Sequence, residues 1–159
     1  MPGWIIDDAA RLATLHDFGI LDTGQEDRFD EIASAASAAC DTPVALVSLI
    51  DRDRQWFKAK VGTDITETPV EAAICSHTLA HGGELVIPDL TTDPRTAANP
   101  LVTGDPWVRF YAGVPIVIDG QAVGTVCVLD VAPREGLTQP QRRALTALAT
   151  DAARMIEER

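Results

Sequence analysis

The arrangement of the chain follows most directly from residues 109–130, which read RFYAGVPIVIDGQAVGTVCVLD. Two apolar runs, about 108–118 and 121–130, flank the pair Asp119-Gly120. Both central residues of a tight hairpin turn need a positive φ, which Asp and Gly tolerate well. The stretch therefore predicts two long antiparallel strands joined by a two-residue turn.

A second hairpin is predicted earlier in the chain. Residues 44–50, VALVSLI, are apolar at successive positions, as in a central strand that is covered on both faces. The polar turn DRDR separates them from a returning strand at 55–61, and a short strand follows at 85–87. Two hairpins and no repeated strand–helix–strand unit predict an antiparallel sheet in an α+β fold.

Apolar residues recur at helical spacing near both ends of the chain. They predict helices over about 7–17, 25–39 and 138–157, and we expect these helices to cover one face of the sheet.

Capping boxes, in which Ser or Thr is followed three positions later by Glu or Gln, occur at residues 23–26 and 68–71. The first predicts the start of the second helix. The other predicts a further helix over about 70–81, which ends at Gly82-Gly83. Residues 88–107 form a long connection with four prolines, and connections of this length inside a domain are usually functional or flexible.

Charge and cysteine content restrict the class of protein. The chain has 13 Lys and Arg against 24 Asp and Glu, a net charge of -11. This charge repels phosphate backbones and anionic lipids, so we expect neither a nucleic-acid nor a membrane partner. Three cysteines without paired spacing indicate a reducing compartment, and with no visible leader or apolar span we expect a cytoplasmic location.

Several stretches together are similar to one known family. They are RLATLHDFGILDT at 11–23, FDEIASAAS at 29–37, VALVSLIDRDRQWFKAKVG at 44–62, TETPVEAAICSHTL at 66–79, LVIPDLTTDPRTAANPLV at 85–102, RFYAGVPI at 109–116 and GTVCVLD at 124–130. They resemble the GAF domains of bacterial sensory proteins. They look like the subgroup found ahead of histidine kinase and diguanylate cyclase modules.

The resemblance implies a PAS-like architecture. It consists of a five- to six-stranded antiparallel sheet, helices behind it, a ligand cleft in front and signal output through the terminal helices. We expect a single GAF domain over residues 1–159, with a core at about 23–157 and an N-terminal helix at about 7–17. The resemblance also implies bacterial signal transduction, such as a two-component system, and a homodimer through the terminal helices. Ligands differ widely among GAF domains, so it names none.

The hairpin predicts where a cleft would lie. A two-residue turn pairs Arg109 with Asp130 and Tyr111 with Val128. One face then carries Phe110, Ala112, Val114, Ile116, Val123, Thr125, Cys127 and Leu129, which are apolar enough to face the helices. The other carries Arg109, Tyr111, Gly113, Val126, Val128 and Asp130, a mixture expected of a pocket floor. A bulge at Gly113 or Pro115 would exchange the faces beyond it.

The opposite wall is expected from the 70–81 helix and the long connection. The candidate ligand-binding residues are Cys75, His77, Asp89 and Asn99 from this wall, and Arg109, Tyr111, Val128 and Asp130 from the floor. Arg95, Trp56 and Phe57 are expected nearby. Adjacent strand residues point to opposite faces, so at most one of Trp56 and Phe57 lines a cleft.

Simpler structural roles stay open for several of these residues. Arg109 and Asp130 are also explained by a cross-strand ion pair. Asp89 is explained by a turn or cap, and Asn99 by a local turn before Pro100. Cys127, which lies between valines, is expected to be a core thiol.

The sequence gives little support for catalysis or a resident cofactor. Cys75 and His77, two apart on a helix, project about 200° apart and do not form a nucleophile–base pair. His77 and His81 share a helix face but make at most half of a zinc or haem site. Bilin, haem and cyclic nucleotide are each disfavoured, because the bilin and cyclic-nucleotide signatures of GAF domains are not matched.

We therefore predict a non-catalytic, small-molecule-sensing module that signals to a histidine kinase or diguanylate cyclase type of output. One alternative is a ligand-free dimerisation or interaction module. Another is a small thiol or metal redox enzyme that uses Cys75 and His77.

Overall fold

The structure, a computed structural model, describes residues 2–159. Its strands are β1 (Val44–Ile50), β2 (Arg54–Val61), β3 (Glu67–Pro69), β4 (Leu85–Ile87), β5 (Phe110–Ile118) and β6 (Gln121–Asp130). They form one six-stranded sheet in the order β3-β2-β1-β6-β5-β4, and each strand pairs antiparallel with its neighbours. The predicted α+β class and antiparallel sheet are confirmed.

The α-helices are α1 (Gly3–Ile6), α2 (Ala9–Asp17), α3 (Asp27–Cys40), α4 (Cys75–His81), α5 (Pro100–Thr103) and α6 (Gln139–Glu157). The predicted N-terminal helix is shorter than expected because Asp8 accepts a hydrogen bond from the Arg11 amide (3.0 Å) and caps α2, which leaves α1 separate. Among residues 2–159, no helix combines the length and apolarity needed to cross a bilayer.

Both predicted capping boxes are wrong. The Thr23 hydroxyl donates to the Ile20 carbonyl (2.6 Å) instead of capping α3. Thr68 lies in β3, a strand that the sequence did not predict, where it pairs with Gln55 of β2. The predicted helix at 70–81 is consequently a 3₁₀ turn (Val70–Ala72) followed by the short α4.

The hairpin turn is confirmed, but its register contains a bulge. Asp119 and Gly120 both have positive φ, 51° and 77°. Val117 pairs with Ala122, whereas Ile116 pairs with Gly124, so Val123 is an extra residue in β6. From the bulge onwards every predicted partner is wrong by one position, because an inserted residue shifts the register.

Helices α3 and α6 cover one face of the sheet. The helix-side core includes Phe29, Ile32, Ala33, Leu145, Ala149 and Ile156 from the helices, and Phe110, Ala112, Val114, Ile116, Val126 and Val128 from β5 and β6. The predicted face is therefore confirmed for β5. It is wrong for β6 beyond the bulge, where Val126 and Val128 face the helices, and Thr125, Cys127 and Leu129 face the other way.

The opposite face carries a second core. This cavity-side core includes Ile50, Phe57, Ile74, Leu79, Tyr111 and Leu129. Helix α4 packs here against β6 and β5, with α1 behind it. The long connection contains α5 and closes the same side through Leu90, Val102 and Val108.

A fully buried arginine fixes the N-terminal segment. The Arg11 guanidinium donates to the carbonyls of Ile5 (2.9 Å), Ile6 (2.9 Å) and, across the fold, Ile50 (2.7 Å). Burial lowers its pKa, and the charge of Asp51 opposes this effect. Since a buried charge is tolerated only when it is hydrogen-bonded, these contacts explain how an arginine can join α1, α2 and the sheet.

Candidate functional site

A cavity of about 230 Å³ lies within the cavity-side layer. Most of its lining is apolar, and includes Leu46, Phe57, Ile74, Leu101, Val108 and Leu129. Its exposed members, Pro43, Gly62, Ile65 and Val131, mark the mouth. Its fully buried members, Cys75, Tyr111 and Cys127, mark the inner end.

One polar group in the lining has an unmet hydrogen bond. Gln55 is only 3% exposed, and its amide nitrogen donates to Thr68 Oγ1 (3.2 Å). Its carbonyl oxygen, Oε1, accepts no hydrogen bond from any residue in the described range 2–159. Since buried polar groups are nearly always paired, this acceptor is a candidate contact for a bound molecule.

Tyr111 lies in the cavity floor, where the sequence analysis placed it. Its ring is fully buried, and its hydroxyl hydrogen-bonds to Thr78 Oγ1 of α4 (2.7 Å). Burial, together with negative charge on Cys75, raises the pKa of the phenol well above its ordinary value. Tyr111 therefore stays neutral and ties α4 to β5.

Cys75 and Cys127 meet at the inner end of the cavity. Their sulfur atoms lie 3.7 Å apart, and Thr125 Oγ1 donates to the sulfur of Cys75 (3.1 Å). Cys127 is buried, as expected of a core thiol, and it also lines the cavity.

Asp130 lines the cavity but does not pair with Arg109. Its carboxylate accepts two hydrogen bonds from Arg134, at 2.6 and 2.9 Å. The Arg109 guanidinium instead donates to the Val102 carbonyl (2.9 Å), outside the cavity lining. The cross-strand ion pair is therefore wrong, because the register shift places Phe110 opposite Asp130.

Two further candidates have local structural contacts outside the cavity lining. Asp89 accepts from the amide and hydroxyl of Thr91 (2.9 and 2.6 Å), and these bonds lower the pKa of its carboxyl. Asn99 caps α5 by accepting from the Leu101 amide (2.9 Å), and it donates to the Ala72 carbonyl (3.2 Å). The turn interpretation is confirmed for both residues, and Asn99 is in addition the cap of α5.

The structure does not bring Cys75 and His77 into one site. Cys75 lines the cavity, whereas His77 is half-buried outside its lining, where burial lowers the pKa of the imidazole. His81 is exposed. Across residues 2–159, no three His, Cys, Asp or Glu side chains are grouped to hold a metal ion.

The remaining predicted positions divide between the two faces of the sheet. Phe57 lines the cavity and Trp56 lies in the helix-side core, which confirms that their side chains point to opposite faces. The placement of Val128 at the cavity floor is wrong, since the bulge turns it towards the helices. Arg95 forms an ion pair with Asp93 (2.8 Å) outside the cavity lining.

Sequence reasoning missed Gln55, Thr68, Cys127 and Leu129 as cavity residues. A signal for Gln55 was available, because it lies two positions before Phe57 and so shares its face of β2. Cys127 and Leu129 could not be assigned without the bulge.

Comparison with known proteins agrees with this architecture. The sequence model of the GAF domain matches residues 25–156. A cyclic di-GMP phosphodiesterase of Pseudomonas aeruginosa is 39% identical over 139 residues, which cover 87% of this chain and 24% of that protein. The chain thus spans about a quarter of that relative's length.

Solved structures share the fold at low sequence identity. The GAF domain of an Acinetobacter phosphoenolpyruvate-protein phosphotransferase superposes with a TM-score of 0.70 at 16% identity, covering 95% of each chain. A free methionine-R-sulfoxide reductase from Neisseria meningitidis, in complex with its substrate, gives 0.66 at 18% identity and covers 92% of this chain and 86% of that one. With the match over residues 25–156, these findings show that the chain belongs to the GAF domain family.

Proposed function

We propose that this chain is a non-catalytic sensor domain that binds a compact, mostly apolar molecule in the cavity. The observation that supports this proposal most strongly is Gln55 Oε1, a buried acceptor with no partner among the described residues, in a side chain that lines a mostly apolar cavity. A ligand that offers one N–H or O–H donor would satisfy it, and would bury its own apolar surface against Phe57, Ile74 and Leu129.

The size and charge of the cavity restrict the ligand class. An apolar cavity of about 150 Å³ can hold benzene, so 230 Å³ suits a molecule of about one ring with substituents. Among the described residues that line the cavity there is no Lys or Arg, and Asp130 already pairs with Arg134. A phosphate or carboxylate would therefore be buried without a cation, which favours a neutral ligand.

The non-catalytic assignment rests on where the reactive side chains lie. Cys75 borders the cavity and His77 does not, so within the described residues the thiol lacks the imidazole that a cysteine nucleophile commonly uses as its base.

Strand β6 offers a direct route from the cavity to the terminal helices. Cys127 and Leu129 line the cavity, whereas Val126 and Val128 on its other face pack in the helix-side core with α3 and α6. A ligand that favours one position of β6 would shift the population of helix arrangements. We propose that this shift is the signal.

The proposed output is a histidine kinase or diguanylate cyclase type of module. The relationship to a cyclic di-GMP phosphodiesterase supports an output connected with that second messenger. A homodimer through the terminal helices and a cytoplasmic location stay predictions. The mass of the intact assembly, measured by native mass spectrometry, tests the dimer.

Phenol and toluene test whether the cavity binds a ligand and whether Gln55 accepts a hydrogen bond from it. The two molecules have nearly the same shape, but only phenol carries an O–H donor. We expect both to raise the melting temperature of the purified chain, with phenol binding about 2- to 10-fold more tightly than toluene, as one net hydrogen bond predicts. Gln55→Leu should remove the preference for phenol while retaining toluene binding.

Thr42→Val is the matched control, because Thr42 Oγ1 is also buried and without a partner among the described residues but lies outside the cavity lining. This variant should keep the preference for phenol. If neither probe shifts the melting temperature, the cavity is closed to ligands and the interaction-module alternative gains support.

A further inference from the structure

The two cysteines at the inner end of the cavity form a close pair that the sensing proposal does not use. Cys75 is the first residue of α4 and Cys127 lies in β6, yet their sulfur atoms are 3.7 Å apart. A disulfide bond is about 2.05 Å long, so closure requires the sulfur atoms to approach by less than 2 Å. Both thiols are free and both border the cavity.

Hydroxyl groups surround the sulfur of Cys75. Thr125 donates to it directly (3.1 Å), and Ser48 Oγ lies 2.8 Å from Thr125 Oγ1. Burial by itself would raise the pKa of the thiol, but hydrogen bonds from Cys127, Ser48, Thr125 and Tyr111 outweigh it and lower the pKa of Cys75 to about 6. A thiolate is the reactive form of cysteine.

Cys127 has the complementary character. Its hydrogen bond to Cys75 and its burial raise its pKa well above the ordinary value. The pair therefore combines Cys75, which ionises more readily, with a neighbouring thiol that keeps its proton. This division of roles suits a thiol that reacts first and a second that resolves the product.

We propose that Cys75 and Cys127 are a peroxide-reactive pair that closes into a disulfide at the inner end of the cavity. The Cys75 thiolate attacks one oxygen of hydrogen peroxide and the O–O bond breaks. The hydroxide that leaves takes up a proton from solvent, and Cys75 is left as a sulfenic acid. The sulfur of Cys127 then attacks Cys75 Sγ, and its proton leaves with the hydroxyl group as a second water.

The overall reaction balances as two thiols and one peroxide giving one disulfide and two waters, with the two sulfur atoms supplying both electrons. The cavity supplies the route for peroxide, which is much smaller than 230 Å³. Closure would draw the start of α4 towards β6 and change the inner end of the cavity. This chemistry requires no ligand, so it can be tested separately from the sensing proposal.

Thiol counting on the purified, reduced chain tests the pair. After peroxide treatment and removal of the excess peroxide, the chain is unfolded in the presence of a maleimide, which labels every free thiol. Its mass then gives the number of labelled sites. We expect labelling to fall from three sites to one, with a cross-linked peptide that contains Cys75 and Cys127, and a dithiol reductant to restore three sites.

Cys40 provides the matched control, because it is equally buried but lies in the helix-side core, where burial raises the pKa of its thiol. Cys40→Ala should fall from two labelled sites to none. Cys127→Ser, which keeps a hydrogen-bond donor beside Cys75, should form no disulfide and should instead accumulate a dimedone-reactive sulfenic acid on Cys75.

A cysteine-containing peptide in the same tube shows whether the peroxide is active. If that peptide is oxidised while the chain keeps three labelled sites, the proposal is overturned. A disulfide to Cys40, or oxidation of Cys75 without a cross-link in the unmodified chain, would also overturn it. Phenol binding to the reduced protein is measured independently, so failure of the thiol pair and failure of the sensing proposal can be told apart.

Discussion

Two buried polar side chains of β2, one on each face of the sheet, differ in their hydrogen bonding. On the helix side, Lys58 is 3% exposed, and its ammonium group donates to Thr23 Oγ1 (2.8 Å) and the Gly24 carbonyl (2.6 Å). It also forms an ion pair with Glu26 (2.6 Å). All three donor positions of this ammonium group are therefore occupied.

On the cavity side, Gln55 of the same strand is equally buried, but its carbonyl oxygen has no partner among the described residues. That side also leaves about 230 Å³ unfilled beside Phe57 and Leu129. The ammonium group of Lys58 thus has all its donors paired, whereas the carbonyl oxygen of Gln55 has no partner and belongs to a side chain that borders free volume. The contrast agrees with the proposal that the cavity side receives another molecule.

Truncating one phenylalanine on each face tests this contrast most strongly. Phe29→Ala removes a fully buried ring from the helix-side core and should lower the free energy of unfolding by about 3–5 kcal/mol. Phe57→Ala should cost at least about 1 kcal/mol less, because one side of its ring already borders empty space and has fewer contacts to lose.

Urea denaturation of both variants measures the difference. Equal losses would show that the cavity collapses around Phe57 in solution, and the contrast between the faces would then be wrong.

Enlarging one leucine on each face gives a smaller effect. Leu145→Phe adds volume to the closed helix-side core and should cost about 1–3 kcal/mol. Leu129→Phe adds the same volume beside the cavity and should change stability by less than about 1 kcal/mol. It should also weaken phenol binding, which Leu145→Phe should not do. Similar losses of stability in the two variants would contradict the presence of free volume beside Leu129.

Most of the fold could be predicted from sequence periodicity and turn chemistry. The strands at 44–50, 85–87 and 121–130 have the predicted bounds, and Asp119-Gly120 forms the expected turn. The capping boxes failed because the same motif serves other contacts. The Thr68 hydroxyl, for example, accepts from Gln55 and donates to the Pro69 carbonyl within the sheet. A four-residue motif does not reveal whether its first residue lies in a strand.

The cavity was less predictable, because a single residue decides which side chains face it. The bulge at Val123 reverses which side chains of β6 face the helices. Cys127 and Leu129 therefore face the cavity side, and Val128 faces the helices. An isolated glycine in a strand is a bulge signal, and Gly124 directly follows Val123, but Gly113 gives the same signal in β5, so the sequence does not locate the bulge. Tyr111 and Cys75 border the cavity as expected, because β5 precedes the bulge and α4 lies outside the hairpin. Asp130 also borders it, but its carboxylate is held by Arg134.

The smallest expected effect is the pH dependence of the ion pair on the helix side. The hydrogen bond and charge of Lys58, with a contribution from Arg159, lower the pKa of Glu26 below its ordinary value of 4.5. A carboxyl with a lowered folded-state pKa stabilises the fold fully above its unfolded pKa, and this contribution is lost as pH falls through the folded pKa. Below about pH 5 we therefore expect Glu26→Gln to lose less stability per pH unit than the unmodified chain.

Combining Glu26→Gln with Lys58→Met shows whether the pH dependence of stability comes from this ion pair. Lys58→Met should flatten the pH dependence in the same direction, and adding it to Glu26→Gln should flatten the dependence no further, since the two changes remove the same interaction. Urea denaturation between pH 3.5 and 6 gives the slopes, with the range set by the ordinary carboxyl values of about 4 to 4.5. An unchanged slope in Glu26→Gln would mean that the ion pair is too open to solvent to lower the pKa of Glu26, and the helix side would then owe its stability to apolar packing alone.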